Sequence, residues 1–223
     1  MEGWLKIAPG GDEPGRERSE DRHVNHPASP GVIVNIAKAS FLAAPALMAG
    51  YGVVRLTDSE HGPGFVWTFG HLLMLAGLVM FGWVFAGLRR AVPGRTAKAF
   101  GAIGFVGLGA VIVQICVDIV VGFMSSDAAT KDHNFERFQE IPGVLPVVYT
   151  VVPLFFYVGL LALTTLGAVV RPRSLPWWTP VLILVGTAVA GVNLDYIPEA
   201  GVLYLIAFLP LVLRTTRTAP VGA

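Results

Sequence analysis

Residues 99–124 read AFGAIGFVGLGAVIVQICVDIVVGFM, an apolar stretch broken by a single acid, Asp118. A helix needs about 20 apolar residues to cross the hydrocarbon core of a bilayer, and this stretch supplies them. A soluble helix carries a charged face opposite its apolar stripe; no such face exists here. Similar runs lie on either side, over 32–55 and 64–88 upstream and over 144–170, 177–194 and 198–213 downstream. The last two are short and separated by NLDYIPEAG. A single helix over 177–213 would be roughly 55 Å long and interrupted by Pro198, so a tight helical hairpin is expected. The chain is 54% hydrophobic and 14% charged, against about 25% charged in a soluble domain. The expected fold class is all-α, a polytopic membrane bundle of about six helices over 31–215.

Residues 1–30 are of different material. They mix both charge signs with Gly and Pro and have no apolar period, so they read as a disordered polar cytoplasmic leader. No apolar core follows a basic start, so they do not read as a secretory signal. Residues 216–223 read as a short cytoplasmic tail.

Charge placement gives an orientation. The loop 89–98 (Arg89, Arg90, Arg95, Lys98), the loop 171–175 (Arg171, Arg173) and the C-terminal end (Arg214, Arg217) carry only basic charges. The acids after residue 30 gather at the other side: Asp58, Glu60, Asp118, Asp127, Asp132, Glu136, Glu140, Asp195 and Glu199. Lys and Arg in short loops mark the cytoplasm, so both termini are expected inside and the chain multi-pass in the cell membrane.

Several functions lose support. Sixteen basic residues against 15 acidic, net +1, leave no basic excess for nucleic acid. The single cysteine, Cys116, excludes a disulfide framework, a CxxC pair and a thiolate cluster within one chain. There is no GxSxG, HExxH, DDxxD or NDxxD, and no repeat with paired broken helices. Small residues at Gly101, Gly104, Gly107 and Gly109, and at Gly186 and Ala190, predict close helix packing.

Ionisable groups inside a bilayer are costly and rare, so each one is a candidate. Asp118 lies about two turns from the outer end of its span, with Gln114 four residues earlier on the same face. Low dielectric disfavours a carboxylate, and a neutral carboxyl near pH 7 can act as a general acid; a structural bond between helices is the alternative. His71 lies at comparable depth, with Trp67 one turn outward. It can relay a proton or pair with Asp118, or stand as a neutral imidazole bonded to a nearby carbonyl. A haem held by two intramembrane histidines is disfavoured, since His71 has no second.

Asp195 and Glu199 flank the last hairpin with Asn193 just before; helix capping competes with any catalytic role. The outer loop DAATKDHNFERFQEIPG predicts a short amphipathic helix with His133, Glu136 and Glu140 on one face and Phe135 and Phe138 on the membrane surface. With Glu60 and His61 nearby, a divalent metal site stays open as an alternative to a solvated lid, although no tetrahedral ligand set is specified. Lys38 can snorkel to the cytoplasmic surface. Tyr149 and Tyr157, eight apart around Pro153, are expected on one face, where aromatic rings can face a cation. Trp177 and Trp178 read as interfacial anchors.

A small, nearly all-membrane chain with isolated outer-leaflet acids in an aromatic bundle over 32–213 resembles the compact integral-membrane terpene cyclases of meroterpenoid and indole-terpenoid pathways. The resemblance implies protonation of an alkene or epoxide in a prenylated lipophilic small molecule, cyclisation through carbocations, and loss of a proton. A cation must form away from water. On that reading Asp118 and His71 are the acid and base, with Asp195 and Glu199 as further candidates. Trp67, Gln114, Tyr149, Tyr157 and Asn193 line the substrate site, and no metal or redox cofactor is needed. Two other readings stay open: a small proton-coupled transporter or channel, and a non-catalytic subunit that binds a partner helix. Oligomeric state is not legible.

Overall fold

The computed structural model describes residues 30–58, 61–170 and 175–216. Apart from Pro30, the expected leader lies outside them, as do Glu60, Arg171, Arg173 and the residues from 217 onward. Among the described residues the chain is helical with no strand. The helices are α1 (Pro30–Leu56), α2 (Phe65–Ala91), α3 (Arg95–Met124), α4 (Ala128–Gln139), α5 (Val151–Val169), α6 (Trp178–Val192) and α7 (Ile197–Thr216). A π-helical turn, Leu145–Thr150, leads into α5, and a 3-10 turn, Leu194–Tyr196, leads into α7.

Among the described residues, five segments are long and apolar enough to cross a membrane: Lys38–Leu56, Phe65–Ala91, Arg95–Met124, Leu145–Val169 and Leu194–Leu213. The sixth expected span, α6, has 15 residues. It is about 22 Å long at 1.5 Å per residue, short of a hydrocarbon core about 30 Å thick.

Among the described residues, the six helices other than α4 close into a ring. Sequence neighbours α1–α2, α2–α3, α5–α6 and α6–α7 pack together, α3 packs on α5, and α7 returns to α1. An aromatic column fills the centre. Phe81 and Phe85 of α2 meet Phe156 of α5 edge-on at 5.2 and 5.6 Å between ring centroids. Tyr204 of α7 lies 6.3 Å from Phe81, and Phe208 meets Phe41 of α1 at 5.4 Å. Edge-to-face pairs contribute about 0.5–1.5 kcal/mol each beyond the area they bury. Where lipid is as apolar as the core, such packing holds helices together.

Small residues set the closest approaches. A Cβ on Gly107 would run into the backbone of Phe155 and Phe156, and one on Gly159 into Gly104 and the Phe100 carbonyl. Backbone therefore meets backbone along the α3–α5 seam, as the glycine pattern predicts. Gly186 faces Tyr204 and Ala200 of α7. Gly109 is the exception: it faces open space, because α5 crosses α3 at Gly104 and Gly107 and the next glycine has already turned away.

Past Met124 the backbone becomes extended at Ser125, and Asp127 starts α4 by accepting from the Thr130 amide at 2.7 Å and the Ser126 hydroxyl at 2.9 Å. The Thr130 amide, chiefly, holds the Asp127 carboxyl below its usual range. A depressed value means that the cap stabilises α4 at neutral pH and stops doing so as pH falls through the folded-state value. Exchange protection at Thr130 and Lys131 should therefore decline below the ordinary carboxylate range. In Asp127→Asn, which caps without titrating, it should persist, as amide exchange against pH will test.

Candidate functional site

Polar residues converge where α1, α2, α3, α4 and the π-helical turn meet. His71 and Trp67 stand one turn apart on α2. The imidazole Nδ1 lies 2.8 Å from the Trp67 carbonyl. A carbonyl only accepts, so Nδ1 carries the hydrogen and donates it, and a neutral ring has its lone pair on Nε2. That nitrogen lies 3.9 Å from Oδ2 of Asp118. The gap is too long for a direct hydrogen bond and short enough for one bridging atom. His71 is 4% exposed and Asp118 13%.

The other carboxyl oxygen has its own partner. Tyr149 donates its hydroxyl to Oδ1 of Asp118 at 3.3 Å. Tyr149 sits in the π-helical turn, where the Val151 amide reaches back five residues to the Pro146 carbonyl. Pro153, just beyond, has no N–H to give and its ring crowds the carbonyl of Tyr149 four residues earlier. Widening the turn relieves that crowding, and π turns recur at functional sites. Tyr157, two turns further along α5, meets the Phe156 ring edge-on at 5.0 Å.

Trp67 links α2 to α3 through its indole N–H, which donates to the Asp118 backbone carbonyl at 3.3 Å. Its ring lies 4.0 Å from that of His71, centroid to centroid. Tyr51 closes the far side of the imidazole edge-on at 5.4 Å. Gln114 stays half-buried one turn from Asp118, and nothing bonds the two.

One residue of this cluster escaped sequence reasoning. Lys131 of α4 is buried; its ammonium lies 4.3 Å from the centre of the Trp67 ring and donates to the His61 carbonyl. His61 has φ 49°, a left-handed conformation that histidine tolerates better than most residues. Phe135 follows Lys131 down to Trp67, 6.4 Å away, so it faces the bundle rather than the membrane surface. Phe138 lies against α3. The spacing Lys131, Phe135, Phe138 was the available signal: it marks the inward face of α4 and includes a cation. The face of Trp67 expected to meet a substrate cation is thus held by a lysine. Removing it in Lys131→Met forfeits a desolvated cation–π contact of about 2 kcal/mol. Exchange across Ala128–Gln139 should then rise by about 30-fold if α4 opens as a unit.

A cavity of about 10 Å³ opens beside His71, bordered by Tyr51, Arg55, Asp58, His61 and Trp67. It has room for about one water. Arg55, on its rim, pairs with Asp195 at 3.2 Å. Asn193 accepts the Asp195 amide at 2.9 Å, and Glu199 is exposed in the first turn of α7, where the helix dipole favours an acid. Asp195, Asn193 and Glu199 therefore organise the last hairpin and touch neither Asp118 nor His71. Among the described residues no three His, Cys, Asp or Glu side chains gather as a metal-binding set, His133, Glu136 and Glu140 included.

No protein-family model, no curated protein and no solved structure matches this chain.

Proposed function

We propose that this is a multi-pass cell-membrane enzyme that isomerises or cyclises a prenylated lipophilic substrate by proton transfer at Asp118 and His71. The observation that carries this reading is the fixed tautomer: the Trp67 carbonyl takes the Nδ1 hydrogen at 2.8 Å and leaves Nε2 turned toward Asp118. In the proposed cycle Oδ2 gives its proton to an alkene carbon or epoxide oxygen, and a carbocation forms. Nε2 removes a proton from that cation, and the imidazolium returns it to the carboxylate. Substrate gains and loses one proton, so its composition is unchanged. Tyr149 stabilises the carboxylate intermediate, and α4, pinned by Lys131, swings to admit substrate.

The chain crosses the membrane six times in this proposal, with both termini cytoplasmic and α6 as a short crossing in locally thinned bilayer. Antiparallel packing supports it: Thr179, at the start of α6, reaches the Ala207 carbonyl of α7 at 3.3 Å, and Thr187 meets the Tyr204 hydroxyl at 2.6 Å. The placement of Arg89, Arg90, Arg95 and Lys98 at the α2–α3 turn supports it as well.

The water-sized cavity beside His71 favours a second reading, a proton relay within a transporter. Purified protein in vesicles, given a panel of prenylated and epoxidised substrates, separates the two. The enzyme yields a product of unchanged mass without flux; the transporter yields pH-driven flux without a product. Neither signal across the panel counts against both.

A further inference from the structure

On the membrane-facing side of α3, turned away from Asp118, lies a groove of about 670 Å³. That volume is within the roughly 300–1,000 Å³ of small-molecule sites. Val113, Cys116, Val117, Val120 and Met124 of α3 form its floor, and Phe138 and Ile141 wall its outer end. From Ile112 to Met124 the floor runs roughly 18 Å along the helix. Two polar residues, Asn134 and Arg137 of α4, stand at that outer end.

Arg137 decides what the groove takes. Asn134 already donates to the Ser125 hydroxyl at 3.0 Å. The ion pairs among the described residues are Arg55–Asp195, His71–Asp118 and Lys131–Asp132, so the Arg137 guanidinium has no ion-pair partner there. A guanidinium offers donors in a planar fork and no acceptor, which matches two oxygens of a phosphate. Here it stands at the end of an apolar trough on a helix long and apolar enough to cross a membrane.

We propose that this groove binds a bilayer phospholipid, its phosphodiester on Arg137 and one acyl chain along Val113, Val117 and Val120. Any lipid can cover an apolar helix face; the arginine selects one with a phosphate. The bound lipid buttresses α4 along Asn134, Arg137 and Phe138, beside the face that Lys131 occupies. This site does not depend on the acid–base reading of Asp118 and His71.

Cys116 lies in the groove, is exposed, and is the only cysteine in the chain, so its labelling reports occupancy without engineering. The full chain in detergent micelles is titrated with dioleoylphosphatidylglycerol or with dioleoylglycerol, which has the same chains and no phosphate. The rate of Cys116 labelling by a small membrane-permeant maleimide is then followed. The phospholipid should slow labelling at about ten-fold lower concentration than dioleoylglycerol, and Arg137→Gln should erase that difference, as expected for one charge-assisted contact. Equal protection by both lipids, or an unchanged preference in Arg137→Gln, overturns the proposal. If Arg137→Gln fails to give native helical content by circular dichroism, Val120→Trp fills the groove with the arginine intact. Native mass spectrometry should then find less retained phospholipid on that variant than on the unaltered chain, and equal retention overturns the proposal.

Discussion

Asp118→Asn should abolish the proton-transfer activity and leave the bundle folded. The amide oxygen of asparagine can still accept from Tyr149, which lies 3.3 Å from Oδ1 of Asp118. Trp67 bonds to the backbone carbonyl of residue 118 and does not depend on its side chain. Stability should therefore fall by about 1 kcal/mol at most, the net worth of one hydrogen bond. What disappears is the oxygen proposed to exchange a proton with Nε2 of His71, and a general acid–base group typically contributes about 10²–10⁴-fold in rate. His71→Asn should lose a similar factor, because it removes Nε2 while keeping an N–H near the Trp67 carbonyl. If Asp118 only ties α3 to Tyr149, the order reverses: Asp118→Asn keeps function, and Tyr149→Phe, which breaks that tie, loses it. Turnover, or flux in vesicles, compared across the three variants distinguishes the roles.

Gly107→Val should severely destabilise the bundle. The added side chain meets the backbone of Phe155 and Phe156, which no rotamer change can move aside, so α3 and α5 must separate. Overpacking in a core costs about 1–3 kcal/mol when side chains can adjust, and the cost here should reach at least about 3 kcal/mol. Gly109→Val, two residues along the same helix, adds its side chain to open space and should change stability by about 0.5 kcal/mol or less. Thermal unfolding of the two variants in detergent provides the comparison. The α3–α5 seam also holds Tyr149 against Asp118, so weaker substitutions such as Gly107→Ala should affect the site before they abolish the fold.

Much of this was legible because membrane solvation is an unforgiving filter. An apolar run with almost no charge permits few structures: the expected span 144–170 matches Leu145–Val169 to within one residue at each end, whereas 32–55, 64–88, 99–124 and 198–213 each miss one boundary by three to six residues. The same filter singles out Asp118 and His71 as candidates; Trp67 joins them from α2 and Tyr149 from the π-helical turn. Three features resisted for physical reasons. Lys131 lies in a charged loop that reads as a surface amphipathic helix, and only the return of α4 over Trp67 buries it. Tyr149 stands in a π turn, whereas spacing arguments assume 3.6 residues per turn. The contact between α1 and α7 that closes the ring joins the two ends of the bundle, and no local pattern announces it.

Solid-state or solution ¹⁵N spectroscopy of His71, assigned with His71→Asn, measures the state of the two ring nitrogens directly. Nδ1 should carry the hydrogen in the neutral ring, and the Nε2 resonance should move in Asp118→Asn while Nδ1 stays in place. A neutral ring with its hydrogen on Nε2, or an Nε2 resonance indifferent to residue 118, would contradict the coupling of these two side chains on which the proposed chemistry rests.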